Sequence, residues 1–204
     1  MPKKKRLLTF SKAINEAIDI SMSKNPSVLL MALGVDDPKG IFGTTIGLYE
    51  KYGKNRVFDM PTSENSMTGF AIGAAINGYR PIITHQRVEF SLLSIEQIIN
   101  QAAKWLYMSA GKTKMPLVIR LIVGRGWGQG PQHSQSLENI FSSIPGLKVV
   151  TPSNAYDAKG LLLEAISDNN PVIFYEHRWL HNYTSFVPKK NYRIKIGNAN
   201  IIKK

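Results

Sequence analysis

The sequence predicts an α/β fold in which a parallel sheet carries helices on both faces. Short apolar runs alternate with amphipathic stretches along most of the chain, and this alternation is typical of parallel sheets. One run, Leu117–Val123, is almost entirely apolar, as expected of a central strand that is covered on both sides. The chain has 204 residues and is 43% hydrophobic, so it can bury a core without disulfide or metal crosslinks.

Each element follows from its local pattern. Helices are predicted where apolar side chains recur at helical intervals, and strands where the apolar run is short and continuous. Gly78 and Gly111 stop two of the helices, since glycine readily takes the conformation that ends a helix. In chain order the predicted elements are a helix at Phe10–Met22, a strand at Ser27–Val35, a helix at Ile41–Tyr52, a strand at Val57–Met60, a helix at Glu64–Asn77, a strand at Pro81–Thr84, a helix at Leu92–Ala110, the strand at Leu117–Val123, a helix at Leu137–Ser143, a strand at Leu147–Val150, a helix at Ala155–Ile166 and a strand at Val172–Tyr175.

The formal net charge of +12 suggests an anionic partner, but its distribution argues against nucleic acid. The excess is concentrated in two terminal segments, Lys3–Arg6 and Lys189–Lys204, which contain no acidic residue. Nucleic-acid binders usually place basic and aromatic residues together on a folded surface. We therefore expect residues 1–180 to form one domain and residues 181–204 to be a basic tail or a linker.

The composition excludes several classes of protein. Without cysteine there is no disulfide framework, thiolate nucleophile or thiolate metal site. No apolar run approaches the roughly 20 residues that span a bilayer, and the basic N-terminus lacks the apolar core of a signal peptide. The sequence therefore predicts a cytoplasmic protein with no membrane partner.

Three polar loops follow predicted strands, where the ligands of parallel α/β proteins usually bind. They are Met60–Asn65, His85–Phe90 and the glycine-rich Gly124–Ser136. The last loop has neither the G-x-G-x-x-G spacing of dinucleotide-binding loops nor the Gly-Lys-Ser/Thr of a P-loop. Its glycines are consistent with close approach of the backbone to a ligand or partner, or with a long surface loop.

Glu64 and His133 are the candidate catalytic residues. Glu64 begins a helix. A carboxylate at this position stabilises the helix by about 0.3–1 kcal/mol through its interaction with the helix dipole, without any catalytic role. Its helix, however, has Gly69 and Gly73 four residues apart, which allows another backbone to approach closely and dehydrate the neighbourhood. His133 ends the glycine-rich loop and is either a solvated side chain or a group that donates a hydrogen bond to a transition state.

Several motifs in order resemble the pyrimidine-binding domain of thiamine-diphosphate enzymes of the transketolase superfamily. This resemblance rests on three segments: Thr62-Ser-Glu64, Gly69-Phe-Ala-Ile-Gly73-Ala-Ala and Gly78-Tyr-Arg-Pro81. A narrower resemblance is to the beta subunit of the decarboxylating component of 2-oxo acid dehydrogenases. It rests on the following segments: Glu96-Gln-Ile-Ile-Asn-Gln-Ala-Ala-Lys104, Gln132-His-Ser-Gln-Ser136, Pro145-Gly-Leu-Lys-Val-Val150 and Asp157-Ala-Lys-Gly-Leu161.

The resemblance assigns roles to four residues. It implies that Glu64 hydrogen-bonds a ring nitrogen of the cofactor's aminopyrimidine, that Phe90 stacks on this ring and that Gln86 lines the pocket. His133 falls on the active-site histidine, where it contacts the substrate or assists acyl transfer. The implied cofactor, thiamine diphosphate, serves as an electron sink for a 2-oxo acid.

The resemblance also implies metals and partners. No Gly-Asp-Gly motif is present, so Mg²⁺ and the diphosphate are expected on a separate alpha subunit within a heterotetramer that contains a second copy of this chain. A structural K⁺ is expected at Leu117, Ala165, Asp168 and Asn170. The usual carboxyl-terminal domain is expected to begin near Lys204, where the chain stops, so we expect a truncated chain or a split gene, with a separate protein or an acyltransferase as further partner.

Three alternatives remain open at this stage. The chain could be a subunit of a split transketolase-like carboligase, a non-catalytic assembly module of the same fold, or a basic nucleic-acid binder. The polar loop with Arg87 and Glu89 suggests a more polar substrate than pyruvate or a branched-chain acid.

Overall fold

A six-stranded parallel sheet lies at the centre of the computed structural model, which describes residues 6–198. The eight strands of the described chain are β1 (Leu7–Thr9), β2 (Val28–Ala32), β3 (Val57–Asp59), β4 (Arg80–His85), β5 (Val118–Val123), β6 (Lys148–Val150), β7 (Val172–His177) and β8 (Thr184–Phe186). The main sheet has the order β3-β2-β4-β5-β7-β6, and every neighbouring pair in it is parallel. The predicted α/β architecture is therefore confirmed.

Helices cover both faces of the sheet, and the alternating side chains of each strand face two separate cores. On β5, Val118 and Ile122 join the core under the first and last helices, whereas Ile119 and Leu121 join the opposite core. The helices are α1 (Phe10–Lys24), α2 (Leu48–Tyr52), α3 (Glu64–Ile76), α4 (Trp105–Met108), α5 (Glu138–Ser142) and α6 (Ala155–Ser167), with 3₁₀ segments at Val88–Ser94, Pro131–His133 and Arg178–Asn182 and a π-helical turn at Gln97–Ala102.

Two predicted helices are wrong in extent. Of Ile41–Tyr52 only α2 is helical, because two threonines divert the preceding backbone. The Thr45 hydroxyl accepts the Ile41 N–H at 2.8 Å, and the Thr44 hydroxyl donates to the Ile41 carbonyl at 2.7 Å. Such local bonds compete with the helical ladder.

The predicted long helix at Leu92–Ala110 is also broken. It consists of the end of a 3₁₀ segment, the π-helical turn and the short α4. The Ser91 and Ser94 hydroxyls each donate to the carbonyl three residues earlier, a bonding pattern that matches the tighter 3₁₀ spacing. Apolar spacing alone did not reveal these changes of pitch.

The segment after residue 180 packs on the domain over its described part. β8 pairs antiparallel with β1, and Val187 is fully buried. Lys159 on α6 is also fully buried, and its Nζ donates to Glu16 Oε1 at 2.7 Å and to the Pro188 carbonyl at 3.0 Å. The role of residues 181–204 as a linker toward a further domain stays a prediction, and residues 1–5 and 199–204 lie outside the described chain.

Candidate active site

A pocket opens at the carboxyl end of the sheet, between the loops that follow β2, β3 and β4. The chain runs from β2 outward to β3 and then returns to β4 on the other side of β2. Such a reversal of strand order leaves a crevice in which α/β proteins bind ligands. Three residues predicted for the cofactor, Glu64, Gln86 and Phe90, line this one pocket. Its full lining is Leu33, Pro61, Thr62, Glu64, Met67, Thr84, His85, Gln86 and Phe90.

Glu64 is the first residue of α3 and is half-buried. Its main-chain carbonyl accepts the Thr68 hydroxyl at 2.9 Å. In the chain between residues 6 and 198 no protein donor hydrogen-bonds the side-chain carboxylate, so both of its oxygens are available to a ligand.

Gln86 ties two of the pocket loops together. Its amide Nε2 donates to the carbonyl of Leu33, just beyond β2, at 2.6 Å. Within residues 6–198 the amide oxygen accepts no hydrogen bond from the protein. Gln86 therefore shapes the pocket with its nitrogen and can accept a hydrogen bond with its oxygen.

Phe90 connects this pocket to His133. The two rings meet edge to face, with centroids 5.5 Å apart and an interplanar angle of 85°. His133 is the last residue of a short 3₁₀ turn in the glycine-rich loop. It lies 43 positions after Phe90 in the sequence, and the fold brings it beside the pocket. The structure places the predicted catalytic histidine and the predicted stacking aromatic in direct contact.

Two further contacts hold the loop that carries His133. A Cβ added at Gly124 would lie 2.5 Å from the His133 carbonyl oxygen, so only glycine allows this approach. The Glu89 carboxylate accepts the main-chain N–H of Gln135 at 2.6 Å. The close backbone approach suggested by the glycines is therefore made within the chain, and it orients the histidine.

Buried polar atoms without a partner are concentrated on the two loops at the pocket. Within residues 6–198, all such side-chain atoms but His181 Nε2 belong to residues 85–89 or 133–134. Buried polar groups are normally hydrogen-bonded, because an unpaired one costs roughly 1–3 kcal/mol. This concentration indicates a surface that is completed by something bound to it. The atoms are His85 Nδ1 and Nε2, Arg87 Nε, Glu89 Oε2, His133 Nδ1 and Ser134 Oγ.

His85 also lines the pocket, although the sequence predicted no role for it. It ends β4, is 1% exposed and has no partner at either ring nitrogen. Burial lowers the pKa of His85 to about 4, so the imidazole is neutral at pH 7. The available signal was a polar residue at the carboxyl end of an apolar strand, immediately before Gln86.

The four positions predicted for K⁺ lie at the amino ends of β5 and β7, at the opposite end of the sheet. The Leu117 and Ala165 carbonyls accept main-chain N–H groups, and the Asp168 carbonyl accepts Arg80 Nη1 at 2.9 Å. Asn170 donates its main-chain and side-chain N–H groups to the Asp168 carboxylate. Across residues 6–198 no three His, Asp or Glu side chains are grouped as metal ligands. Cation binding at these positions stays a prediction.

A family model described as transketolase, pyrimidine binding domain matches residues 6–183. The beta subunit of acetoin:2,6-dichlorophenolindophenol oxidoreductase from Cupriavidus necator is 47% identical, over 97% of this chain and 61% of its own length. The beta subunit of the pyruvate dehydrogenase E1 component from Porphyra purpurea is 45% identical, over 94% of this chain and 58% of its own. The chain thus spans about three fifths of these relatives, and the resemblance drawn from the motifs is confirmed.

A solved structure described as a split gene transketolase, inactive beta4 tetramer, has the same fold. It superposes with a TM-score of 0.72 over 97% of this chain and 59% of that one, at 20% sequence identity. Among residues 6–198, no helix is long and apolar enough to cross a membrane.

Proposed function

The chain belongs to the transketolase pyrimidine-binding domain family, and from this membership we propose that it is the beta-type subunit of a thiamine-diphosphate enzyme. It contributes the aminopyrimidine half of the cofactor site, and the reaction is oxidative decarboxylation of, or acyl transfer from, a 2-oxo acid. A separate alpha-type subunit supplies the half that holds Mg²⁺ and the diphosphate. The absence of a Gly-Asp-Gly motif from the sequence supports this division of labour.

The observation that carries the proposal is the pocket that combines Glu64, Gln86 and Phe90. A carboxylate without a protein donor suits a protonated ring nitrogen, and a half-buried aromatic ring suits stacking on a flat heterocycle. The two unpartnered ring nitrogens of His85, which lines this pocket, are further evidence that the pocket is completed by a ligand. The chemistry of these side chains therefore matches that of an aminopyrimidine.

Each side chain has a distinct task in this proposal. Thiamine diphosphate, when bound, supplies the electron sink for bond cleavage next to a carbonyl. Glu64 holds and shares a proton with the ring nitrogen, and Phe90 fixes the plane of the ring. His133, held against Phe90, donates a hydrogen bond to the charge that develops on the substrate oxygen.

Glu64→Gln tests the proposal in the assembly formed with the alpha-type subunit. The amide cannot take up and return the proton, so exchange of the cofactor's thiazolium proton, followed by NMR, is expected to slow by about 100- to 10,000-fold. Glu50→Gln, an exposed carboxylate on α2, is the matched control and leaves exchange unchanged. Wild-type exchange in folded Glu64→Gln would exclude Glu64 from the mechanism.

A 2-hydroxyketone is the second candidate substrate, because the relative at 47% identity is named for acetoin. Product analysis with an artificial electron acceptor distinguishes the two classes. Turnover of a 2-oxo acid releases CO₂, whereas cleavage of acetoin does not. The chain alone is expected to be inactive with either substrate, and turnover without a partner would contradict the proposed half-site.

A further inference from the structure

Two arginines face one aromatic ring at the carboxyl end of the sheet, outside the pocket described above. Arg87 follows β4 and Arg178 follows β7. The guanidinium carbon of Arg178 lies 4.1 Å from the centroid of the Phe42 ring, and that of Arg87 lies 5.2 Å from it. Two positive charges that are far apart in sequence therefore lie around one aromatic ring.

Neither arginine has an acidic partner in an ion pair within residues 6–198. Arg178 Nη1 contacts His181 Nδ1 at 3.2 Å, and Arg87 Nη1 donates to the carbonyl of Gln86 at 2.7 Å. The Nε of Arg87 is buried without a partner. Glu89 is the acid that raises the pKa of Arg87, and one of its oxygens is already bonded to a main-chain N–H.

The local environment disfavours the two positive charges. Burial lowers the pKa of Arg87, and burial together with the nearby Arg87 lowers that of Arg178. A bound anion would offset both effects at once. Guanidinium groups present paired N–H donors that match the oxygens of a carboxylate or phosphate.

Two tryptophans form an apolar wall beside these charges. Trp127 and Trp179 meet edge to face with centroids 4.8 Å apart, and Arg178 lies 5.0 Å from the Trp127 ring. Trp179 Nε1 donates to the main-chain carbonyl of Arg125 at 3.2 Å, which joins the segment after β7 to the glycine-rich loop. Arg178 therefore lies beside a pair of partly exposed indole rings.

We propose that Arg87 and Arg178 form a binding site for the carboxylate or phosphate group of a small molecule. The site lies on the same edge of the sheet as the pocket with Glu64, so its ligand is the anionic part of a substrate. That last step rests on the proposed function, whereas anion binding itself does not.

The test uses the full chain without cofactor or partner, and Trp127 and Trp179 serve as fluorescent reporters. Titration with inorganic phosphate and, separately, with succinate is carried out at constant ionic strength against chloride. The expected result is a saturable fluorescence change with at least one of the two anions, which also identifies the preferred group. Arg178→Gln and Arg87→Gln are each expected to weaken binding about 10- to 100-fold, as expected for the loss of a charge-assisted hydrogen bond.

Lys54→Gln, which removes an exposed positive charge elsewhere, is the matched control and leaves the titration unchanged. An unchanged wild-type fluorescence, or an equal response in all variants, would overturn the site and leave the arginines as aromatic-stacking residues only. Should an arginine variant fail to fold, thermal melts of the wild type decide, because a specific anion raises Tm in a saturable manner and chloride does not.

Discussion

The hydrogen-bond partners of buried polar groups differ between the body of the domain, away from the pocket, and the loops beside the pocket. In the body, fully buried Lys159 donates to Glu16 at 2.7 Å, and fully buried Arg120 donates to Glu176 at 2.9 Å and to Thr44 at 2.8 Å. On the two loops beside the pocket, the buried atoms of residues 85–89 and 133–134 include six with no partner. Both regions belong to one chain, and the sheet supports both.

The difference separates polar groups that hold the fold from those prepared for binding. A buried charge without a partner costs several kcal/mol, so charges in the body persist only in pairs. An unpaired group at the pocket carries a similar penalty in the free chain, which a ligand removes when it binds. Substitutions that break a pair in the body should therefore lower stability, whereas substitutions at the pocket should alter function or remove a cost that the free chain carries.

The largest expected effect is that of Glu176→Gln in the body. It leaves the Arg120 charge buried without a counter-charge, which is expected to lower the free energy of unfolding by about 3–5 kcal/mol. Urea denaturation followed by circular dichroism measures the loss. Replacing both partners, with Arg120→Met and Glu176→Leu, removes the unpaired charge and recovers most of it. A loss below about 1 kcal/mol for Glu176→Gln would contradict the assignment.

The same ion pair predicts a loss of stability in acid. Burial alone would raise the pKa of Glu176, but Arg120 and His181 together hold it at about 2, below the ordinary value of 4.5. A carboxyl group with a lowered pKa stabilises the fold above its unfolded pKa. Its contribution is therefore lost as the pH falls from about 4.5 to about 2.

His133→Ala at the pocket is expected to act on turnover instead. Losing a hydrogen bond made only in the transition state lowers kcat by about 100- to 1,000-fold. The half-exposed ring contacts Phe90 at its edge, so the free energy of unfolding should change by less than about 1 kcal/mol. Steady-state kinetics of the assembled enzyme, with cofactor affinity measured separately, checks this. An unchanged kcat would show that His133 is a solvated loop residue.

His85→Leu tests the unpartnered imidazole through pH. Burial holds the pKa of His85 at about 4 against an ordinary 6.5, so between these values the unfolded chain binds the proton and the folded chain does not. The wild type should therefore lose up to about 3 kcal/mol of stability as the pH falls from 6.5 to 4. His85→Leu should flatten this part of the profile, measured by urea denaturation at each pH. If the slope of stability against pH were unchanged in His85→Leu, the pH dependence would belong to other groups such as His177, whose pKa burial also lowers.

The sequence predicted the parallel sheet and most of its elements because burial imposes periodic patterns. It did not predict the pairing of β1 with β8, since the partner residues lie 175–179 positions apart and each strand has only three residues. Nor did it predict the turns of residues 41–47, where threonine hydroxyls replace helical hydrogen bonds. Long-range pairing and side-chain bonds to the backbone leave no periodic trace.

The site was predictable in part. Glu64, Gln86 and Phe90 were named from a family resemblance, and only the structure shows that they share a pocket. His85 was missed because its burial depends on how α3 and the Val88–Ser94 segment cover the end of β4. Arg178 was missed because its contact with Phe42 depends on the fold and not on sequence distance.

The two glycines of α3 extend the comparison from polar atoms to apolar surface. A Cβ at Gly69 would meet the Gln97 side chain at 3.5 Å, whereas a Cβ at Gly73 would meet nothing within 4 Å. Gly73 opens onto a groove with exposed aromatic walls, Phe70 and Tyr79. One glycine is thus covered within the chain, and the other is free to receive a second subunit. We predict that the groove at Gly73 is a subunit contact.

Gly73→Leu therefore has the smallest expected effect on the chain itself and a decisive one on assembly. A leucine in place of a helix-interior glycine gains up to about 1 kcal/mol in helix propensity, and the open groove leaves room for it. The folded chain should be as stable as the wild type or slightly more so, with an unchanged circular dichroism spectrum. Light scattering should show loss of the dimer or heterotetramer, because the leucine fills the space that the second backbone needs.

Gly73→Ala is the matched control, since it gains the same propensity and adds only a methyl group. Unfolding of Gly73→Leu would show that the chain itself needs the space at Gly73, and full assembly would show that no second subunit occupies it. Either result would exclude the groove as the interface.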